Sequence, residues 1–245
     1  MNRSFVVDAL PERAARYRAT HALVAVDVFR ATTVIVTALA GGHPVYPVGT
    51  LAEALNTAGR VRQPLLAGEQ AGVKPDGFDY DNSPVALEAA QGHQPVVLLT
   101  SAGTLLLTNC RGASAIYVAC LRNFSATARE LERHRRVALI GAGTRGKQRD
   151  EDQMVCAWMG HLLLAAGFRP EDERTIAEVE RWQGADPALL RRGPSADFLR
   201  GSGQEHDLEW VLAHVDDLDA VAIYNGERVS LLPAAVGHPL AADAT

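Results

Sequence analysis

The stretch Ala22-Leu23-Val24-Ala25-Val26-Asp27-Val28-Phe29-Arg30-Ala31-Thr32-Thr33 decides how this chain is read. Its apolar residues run unbroken instead of alternating, the pattern of a strand covered on both faces, as parallel strands are in α/β proteins. In open sheets of that kind, ligands bind beyond the carboxyl ends of the strands. Asp27 and Arg30 therefore leave the strand where a site would lie. Two readings are open for them. Either Asp27 caps the following helix and pairs with Arg30, or it is a metal ligand or nucleophile beside an anion clamp.

Working outward, the same punctuation recurs. Residues 5–7 read as a strand and 11–18 as a helix or arm. A helix over 32–40 stops at Gly41-Gly42. A strand over 45–48 precedes Thr50, which with Glu53 forms a capping box for a helix reaching about residue 61. The strand 64–67 delivers Gly68-Glu69. Ser83-Pro84 opens a helix with Ser as N-cap and Pro in the first position. The strand 94–99 ends in Thr100-Ser101-Ala102-Gly103-Thr104, and a helix is expected from Leu105 to Cys110. A strand over 115–119, a helix capped by Asn123 or Ser125, a strand over 137–140 and a long helix over 150–166 follow. The alternation predicts an α/β fold: three layers, α/β/α, around a largely parallel sheet. After Pro170 the chain turns charged and mostly helical, with extended pieces at 220–223 and 229–232. The expected organisation is a core over 1–170 that carries the site and a C-terminal, mostly helical part over 171–245 packed on the same domain.

With 47% hydrophobic and 22% charged residues, the composition is that of an ordinary globular protein. A net charge of −5 offers no electrostatic basis for binding nucleic acid or anionic membranes. The apolar runs fall short of the roughly 20 residues that cross a bilayer, and the start of the chain lacks the signal-peptide pattern. A cytoplasmic protein without nucleic-acid or membrane partners is expected. Cys110, Cys120 and Cys156 are too widely spaced for a zinc knuckle and odd in number for a disulfide framework. Trp158, Trp182 and Trp210 lie in helical patterns as core or interface residues and leave room for a homodimer.

The chemistry-bearing residues cluster at strand ends. Asp27 with Arg30, Gly68-Glu69, Thr100 to Thr104 and Gly141 to Gly146 are expected at one edge of the sheet, and the helix behind the last opens with Asp150-Glu151-Asp152. Carboxylates from separate elements suit Mg²⁺, a hard cation that takes oxygen ligands and keeps several waters. Thr, Ser and Gly at helix N-termini present N–H groups and hydroxyls to an anion. Together they describe a phosphate site with a metal, the charge neutralisation that phosphoryl chemistry needs. The glycine-bearing segment Gly72 to Asn82 reads as a site loop. Gly141-x-Gly143-x-x-Gly146 follows a strand, but no helix starts inside it and no acidic residue ends a second strand about 20 residues on, so the dinucleotide-binding reading is rejected. Asp27 to Thr32 also falls short of the DxDxT signature of haloacid-dehalogenase-type phosphatases, because Phe29 replaces the second acid.

Several segments together resemble the 2-phosphosulfolactate phosphatase family of coenzyme M biosynthesis and its bacterial relatives. They are Asp27-Val-Phe-Arg-Ala-Thr-Thr33, Gly68-Glu69-Gln-Ala-Gly72, Gly77-Phe-Asp-Tyr-Asp-Asn-Ser-Pro84, Gly141-Ala-Gly143, Glu151-Asp152 and Cys156-Ala157, in the family's order over residues 24 to 160. The resemblance implies a Mg²⁺-dependent phosphoric monoester hydrolase that cleaves a small phosphorylated 2-hydroxy acid, carboxylate or sulfonate, to the hydroxy acid and phosphate. It implies a metal among Asp27, Glu69 and Asp152, with Asp27, Arg30 and Asp152 catalytic. Arg30, Thr32, Thr33, Ser83, Thr100, Ser101, Gly103 and Thr104 would bind the phosphorylated substrate, with Asn82 or Lys74 holding its acid end. Two positions depart from the pattern: Ala102 stands where the family has Asn, and Asp81 where it has Gly. The competing readings are a non-catalytic anion-binding or regulatory homologue and a nucleotide-dependent oxidoreductase using the Gly141 loop.

Overall fold

The computed structural model describes residues 3–233. From the N-terminus, β1 (Ser4–Asp8) and a short arm ending in α1 (Ala14–Tyr17) lead to β2 (Ala22–Val26) and α2 (Ala31–Ala40). Next come β3 (Val45–Val48), α3 (Leu51–Arg60) and β4 (Leu65–Gly68). The predicted site loop runs on to α4 (Pro84–Glu88), followed by β5 (Val96–Leu99), α5 (Ala102–Cys110), β6 (Ile116–Ala119) and α6 (Phe124–Leu131). Then follow β7 (Arg136–Gly141), α7 (Asp150–Ala165), β8 (Arg169–Pro170), α8 (Glu173–Arg181), α9 (Pro194–Gly201) and α10 (Glu205–Ala213). The hairpin of β9 (Ala222–Tyr224) and β10 (Val229–Leu231) ends the described chain.

Local signals explain most boundaries. Thr50 and Glu53 close the capping box: Glu53 N–H donates to Thr50 Oγ1 at 3.1 Å, and Thr50 N–H donates to Glu53 Oε2 at 3.2 Å. Ser83 Oγ accepts from Ala86 N–H at 3.2 Å, with Pro84 in the first helical turn. The fifth helix starts at Ala102, three residues earlier than the sequence predicts. Thr104 N–H donates to Thr100 Oγ1 at 3.2 Å, so a threonine ahead of the helix closes its first turn. Asn123 stands at the start of α6 without capping it: its Oδ1 accepts from Cys120 N–H at 3.0 Å, and its Nδ2 donates to the carbonyls of Val118 and Ala220.

The ten strands form one sheet in the order β4-β5-β3-β10-β9-β6-β2-β7-β1-β8, mixed but mostly parallel, with helices on both faces. Successive residues of β2 feed two cores. Leu23 and Ala25 pack with α2 and α5, whereas Ala22, Val24 and Val26 pack with α6 and α7. That two-sided burial is the physical meaning of the unbroken apolar run. On the other wing, Val97 and Leu99 pack against Ala54 of α3.

The hairpin β9–β10 sits in the middle of the sheet, between β3 and β6, and all three of its junctions are antiparallel. Counting through them, β4, β5 and β3 run opposite to β6, β2, β7, β1 and β8. The expectation of strand ends gathered along one edge therefore needs correction. The two parallel sets leave opposite edges, yet the residues that follow β2 and β5 come together, a Cβ at Gly103 falling 2.4 Å from Ala31 Cβ.

Glu171, just beyond β8, ties this wing together. Its carboxylate accepts from Ser4 Oγ at 2.7 Å and from both Nε and Nη2 of Arg136 at 3.1 and 3.0 Å, and it contacts His21 Nε2 at 3.1 Å. Partial burial opposes ionisation, but the donors from Arg136, Ser4 and His21 outweigh it and hold the carboxyl down at about 2 instead of 4.5. Because the folded value is depressed, the network's contribution is present above about 4.5 and fades as pH falls toward 2. Glu171→Gln should lower stability at pH 7 by no more than about 1 kcal/mol, since solvent screens the pair. Urea melts of both proteins at pH 7 and pH 3 check this. A difference that does not shrink at the lower pH would contradict it.

Candidate active site

Asp27 follows β2 and is 7% exposed. The turn that holds it is built from its own neighbours. Asp27 N–H donates to Thr32 Oγ1 at 2.9 Å, Thr32 Oγ1 donates to Asp27 O at 2.8 Å, and Thr33 Oγ1 donates to Val28 O at 2.8 Å. Thr32 and Thr33 thus brace the strand-to-helix turn from behind and do not border the cavity in front of Asp27. Short hydroxyl side chains next to free backbone groups bond locally first, and spacing alone cannot reveal this.

That cavity has a volume of about 350 Å³. Asp27, Glu69, Asn82 and Thr100 border it, together with Ser101 and Ala102 at the start of α5. Ala102 and Gly103 occupy the first two helical positions, whose N–H groups have no intrahelical partner and face the positive end of the helix dipole. Gly103 is required by proximity: a Cβ there would lie 2.4 Å from Ala31 Cβ and 2.9 Å from Asp27 Oδ2. Thr104 is a step further back, its Oγ1 sharing a 2.8 Å hydrogen bond with Thr100 Oγ1. Glu69 Oε1 accepts from Ser101 N–H and Oγ–H at 3.0 and 3.1 Å, and its Oε2 accepts from Gly72 N–H at 2.6 Å. Asn82 Oδ1 is buried without a partner.

Other predicted residues have different engagements. Asp152 lies behind Asp27, 2% exposed, accepting from Val28 N–H at 2.9 Å and Gly143 N–H at 3.1 Å. It buckles the start of α7 to the exits of β2 and β7. Lys74 donates to Phe78 O at 2.8 Å, inside its own loop and outside the cavity lining. Ser83 Oγ caps α4 and donates to Asp207 Oδ1 at 2.6 Å. Asp81, in the family's glycine position, accepts from Gln204 Nε2 and so fastens the site loop to the α9–α10 connection. The Gly141–Gly146 segment is a tight two-residue turn. Thr144 and Lys147 exchange backbone hydrogen bonds at 2.8 and 3.1 Å across Arg145 (φ 51°) and Gly146 (φ 72°), and α7 starts only at Asp150.

Two residues essential to this geometry, Asp207 and Ser195, carry no sequence signal strong enough to single them out, and both engage residues that the sequence does offer, Arg30 and Glu151. Asp207, fully buried at the start of α10, pairs with Arg30 Nη1, so the expected anion clamp is anchored from its far side. Ser195 at the start of α9 borders the cavity, and its side chain helps lower the Glu151 carboxyl. Glu151 itself is 6% exposed. The apolar spacing of α9 and α10 marks them as helices, but nothing in it says where their first turns dock.

The electrostatics are dominated by crowded acids. Burial pushes Asp27 up to about 7; the Ala31 N–H opposes this, Glu151 and Glu69 add to it, and Arg30 opposes it. Asp152 is raised by burial and by Asp27 and Glu151, against the N–H groups of Val28 and Gly143. Burial likewise raises Glu151, against the Ser195 side chain. Among the described residues, no group of three or more His, Cys, Asp or Glu side chains stands in metal-ligating arrangement. Asp27 and Glu69 face the cavity, and Asp152 is held on backbone donors behind it.

Two substitutions test this construction. Gly103→Ala should destabilise the protein by about 1–3 kcal/mol, because α5 must back away from Ala31 and Asp27. Asp207→Ala strands a buried guanidinium and should cost about 3–5 kcal/mol. Chemical denaturation measures both, and Asp207→Asn should recover part of the second loss.

The chain is similar to known proteins over most of its length. The 2-phosphosulpholactate phosphatase family matches residues 8–227. A protein of Pseudothermotoga lettingae named "Probable 2-phosphosulfolactate phosphatase" is 38% identical over 164 residues, 66% of this chain and 70% of its own length. Proteins of the same name from Synechococcus sp. strain RCC307 and Symbiobacterium thermophilum are 32% and 34% identical, over 86% and 85% of this chain and 92% and 93% of theirs. Among the described residues no helix is long and apolar enough to cross a membrane. The match runs from the end of β1 through β9, and so the chain belongs to the 2-phosphosulpholactate phosphatase family.

Proposed function

We propose that this chain is a Mg²⁺-dependent phosphatase that hydrolyses a small phosphorylated 2-hydroxy acid of the 2-phosphosulfolactate type to the hydroxy acid and inorganic phosphate. The observation that carries the reading is Asp27, a buried carboxyl held at about 7, set against the open N-terminus of α5 in a cavity of about 350 Å³. The relatives' names agree with the reaction class.

The donor set suits the cation. Asp27 and Glu69 are the two carboxylates that border the cavity, Glu69 and Glu151 lie near enough to raise Asp27, and Arg30 is already balanced by Asp207. Mg²⁺ is commonly held by one or two carboxylates, waters and substrate phosphate oxygens, a role for Asp27 and Glu69 at the cavity wall with Asp152 steadying them from behind. When bound, the ion neutralises phosphoryl charge.

The chain's own residues do the rest. The N–H groups of Ala102 and Gly103 and the hydroxyl of Ser101 hold the phosphoryl oxygens. Arg30, fixed by Asp207, adds positive charge beside them. Asp27 either attacks phosphorus itself or takes the proton of the attacking water. The water supplies the oxygen that leaves as phosphate, and the hydroxy acid departs with a proton. Acid-quenched single turnovers with an ester ³²P-labelled in its phosphoryl group separate the two routes, since only direct attack leaves a transient phosphoryl group on the Asp27 carboxyl.

Asp27→Asn should keep the fold and lower kcat by about 10²–10⁴-fold. Chelation should abolish phosphate release from 2-phospholactate or 2-phosphosulfolactate, and added Mg²⁺ should restore it. Near-wild-type activity of the variant would relocate the site. Tight binding of these esters without turnover would favour the anion-binding homologue, a reading that the small Ala102 side chain in the cavity wall supports.

A further inference from the structure

Three arginines border the cavity, Arg30, Arg145 and Arg149, and they are not equivalent. Arg30 has its counter-ion in Asp207. Among the described residues, Arg145 and Arg149 make neither an ion pair nor a side-chain hydrogen bond within the protein. Arg149 stands at the N-cap of α7 in extended conformation (φ −119°, ψ 132°), half-buried, and its Nε–H is shut off from solvent without an acceptor. Glu151 lies near enough for Arg149 to lower its carboxyl but accepts no hydrogen bond from it, and the guanidinium borders the cavity with its charge unpaired. Arg145 projects from the Thr144–Lys147 turn, whose two backbone hydrogen bonds keep it stiff.

These cations belong to a different wall from the phosphate cradle. Asp27 lies against α5 at Gly103 and is coupled electrostatically to α7 through Glu151 and Asp152. The phosphoryl group is assigned to the α5 side, so the arginines of the β7–α7 connection remain for another part of the ligand. A planar guanidinium offers two parallel donors to a carboxylate or sulfonate. Lys74, which the sequence offers for the acid end, points into its own loop instead.

Resting on the phosphatase reading, we infer that Arg149, seconded by Arg145, is a specificity subsite for a second anionic group, carboxylate or sulfonate, a short carbon chain away from the phosphate. The enzyme then selects phosphate esters with two charged poles and discriminates against simple alkyl phosphates. A cavity of about 350 Å³ admits a molecule of only a few carbons between those poles.

The test compares kcat/KM for 2-phospholactate, 2-phosphosulfolactate and ethyl phosphate in wild type, Arg149→Gln and Arg149→Lys, each with its thermal midpoint checked. Arg149→Gln should cut the preference for acid-bearing esters over ethyl phosphate by at least about tenfold, mainly through KM, and Arg149→Lys should recover part of it. A fall confined to 2-phosphosulfolactate identifies the sulfonate as the bound group, and a fall shared by both acid-bearing esters identifies the carboxylate they have in common. An unchanged preference ratio, with all three esters losing equally, would overturn the assignment. If wild type releases phosphate from no ester, the phosphatase reading fails on its own. Calorimetry then decides the subsite, which predicts that Arg149→Gln weakens 2-phospholactate binding at least about tenfold more than inorganic phosphate.

Discussion

Three antiparallel junctions in the centre of a mostly parallel sheet impose the constraint on which the site depends. They force β4, β5 and β3 to run against β6, β2, β7, β1 and β8, so Glu69 and Thr100 leave one edge and Asp27 the other. Helices α2 and α5 pack Val34, Ile35, Leu106 and Leu107 into the core that both sets share. The cavity forms where those two helices begin. A single added methyl group at residue 103 would meet Ala31 at 2.4 Å, which is why the position is glycine.

A second theme is the handling of buried charge. The molecule gathers Asp27, Glu151 and Asp152 where water is excluded, an arrangement that raises all three carboxyls. Backbone N–H groups offset part of that cost at Asp152. Other acids neutralise cations that would otherwise sit free: Asp207 holds Arg30, and Asp217 holds Arg122 beneath the ring of Trp210. The cysteines take no part in this chemistry. All three are buried free thiols, and burial pushes Cys110 up to about 12 and Cys120 to about 11.

Residues beyond 170 bear directly on the site. Ser195, Phe198 and Leu199 of α9 border the cavity, Gln204 ties Asp81, and Asp207 fixes both Arg30 and Ser83. The ring of Phe198 lies so close to Gly72 that a Cβ there would come within 2.7 Å of it. The tryptophans are likewise engaged within the chain: Trp158 Nε1 donates to Trp182 O, and Trp210 Nε1 donates to Glu88.

Much of this was legible in the chain itself. Unbroken apolar runs, capping residues and the glycine stops determine the alternating elements and hence the α/β class, because these signals act over a few residues. They also bring Asp27, Glu69 and the Thr100–Thr104 run to strand ends. The roles of individual polar side chains were not legible. Thr32 and Thr33 find partners in their own turn, Lys74 in its own loop, and Asp152 on two backbone N–H groups, while Asp207 reaches Arg30 across 177 residues of sequence. A residue's type and spacing state what it can donate or accept. Only the tertiary structure decides which partner arrives first, because strand order, twist and burial set which groups meet without water between them.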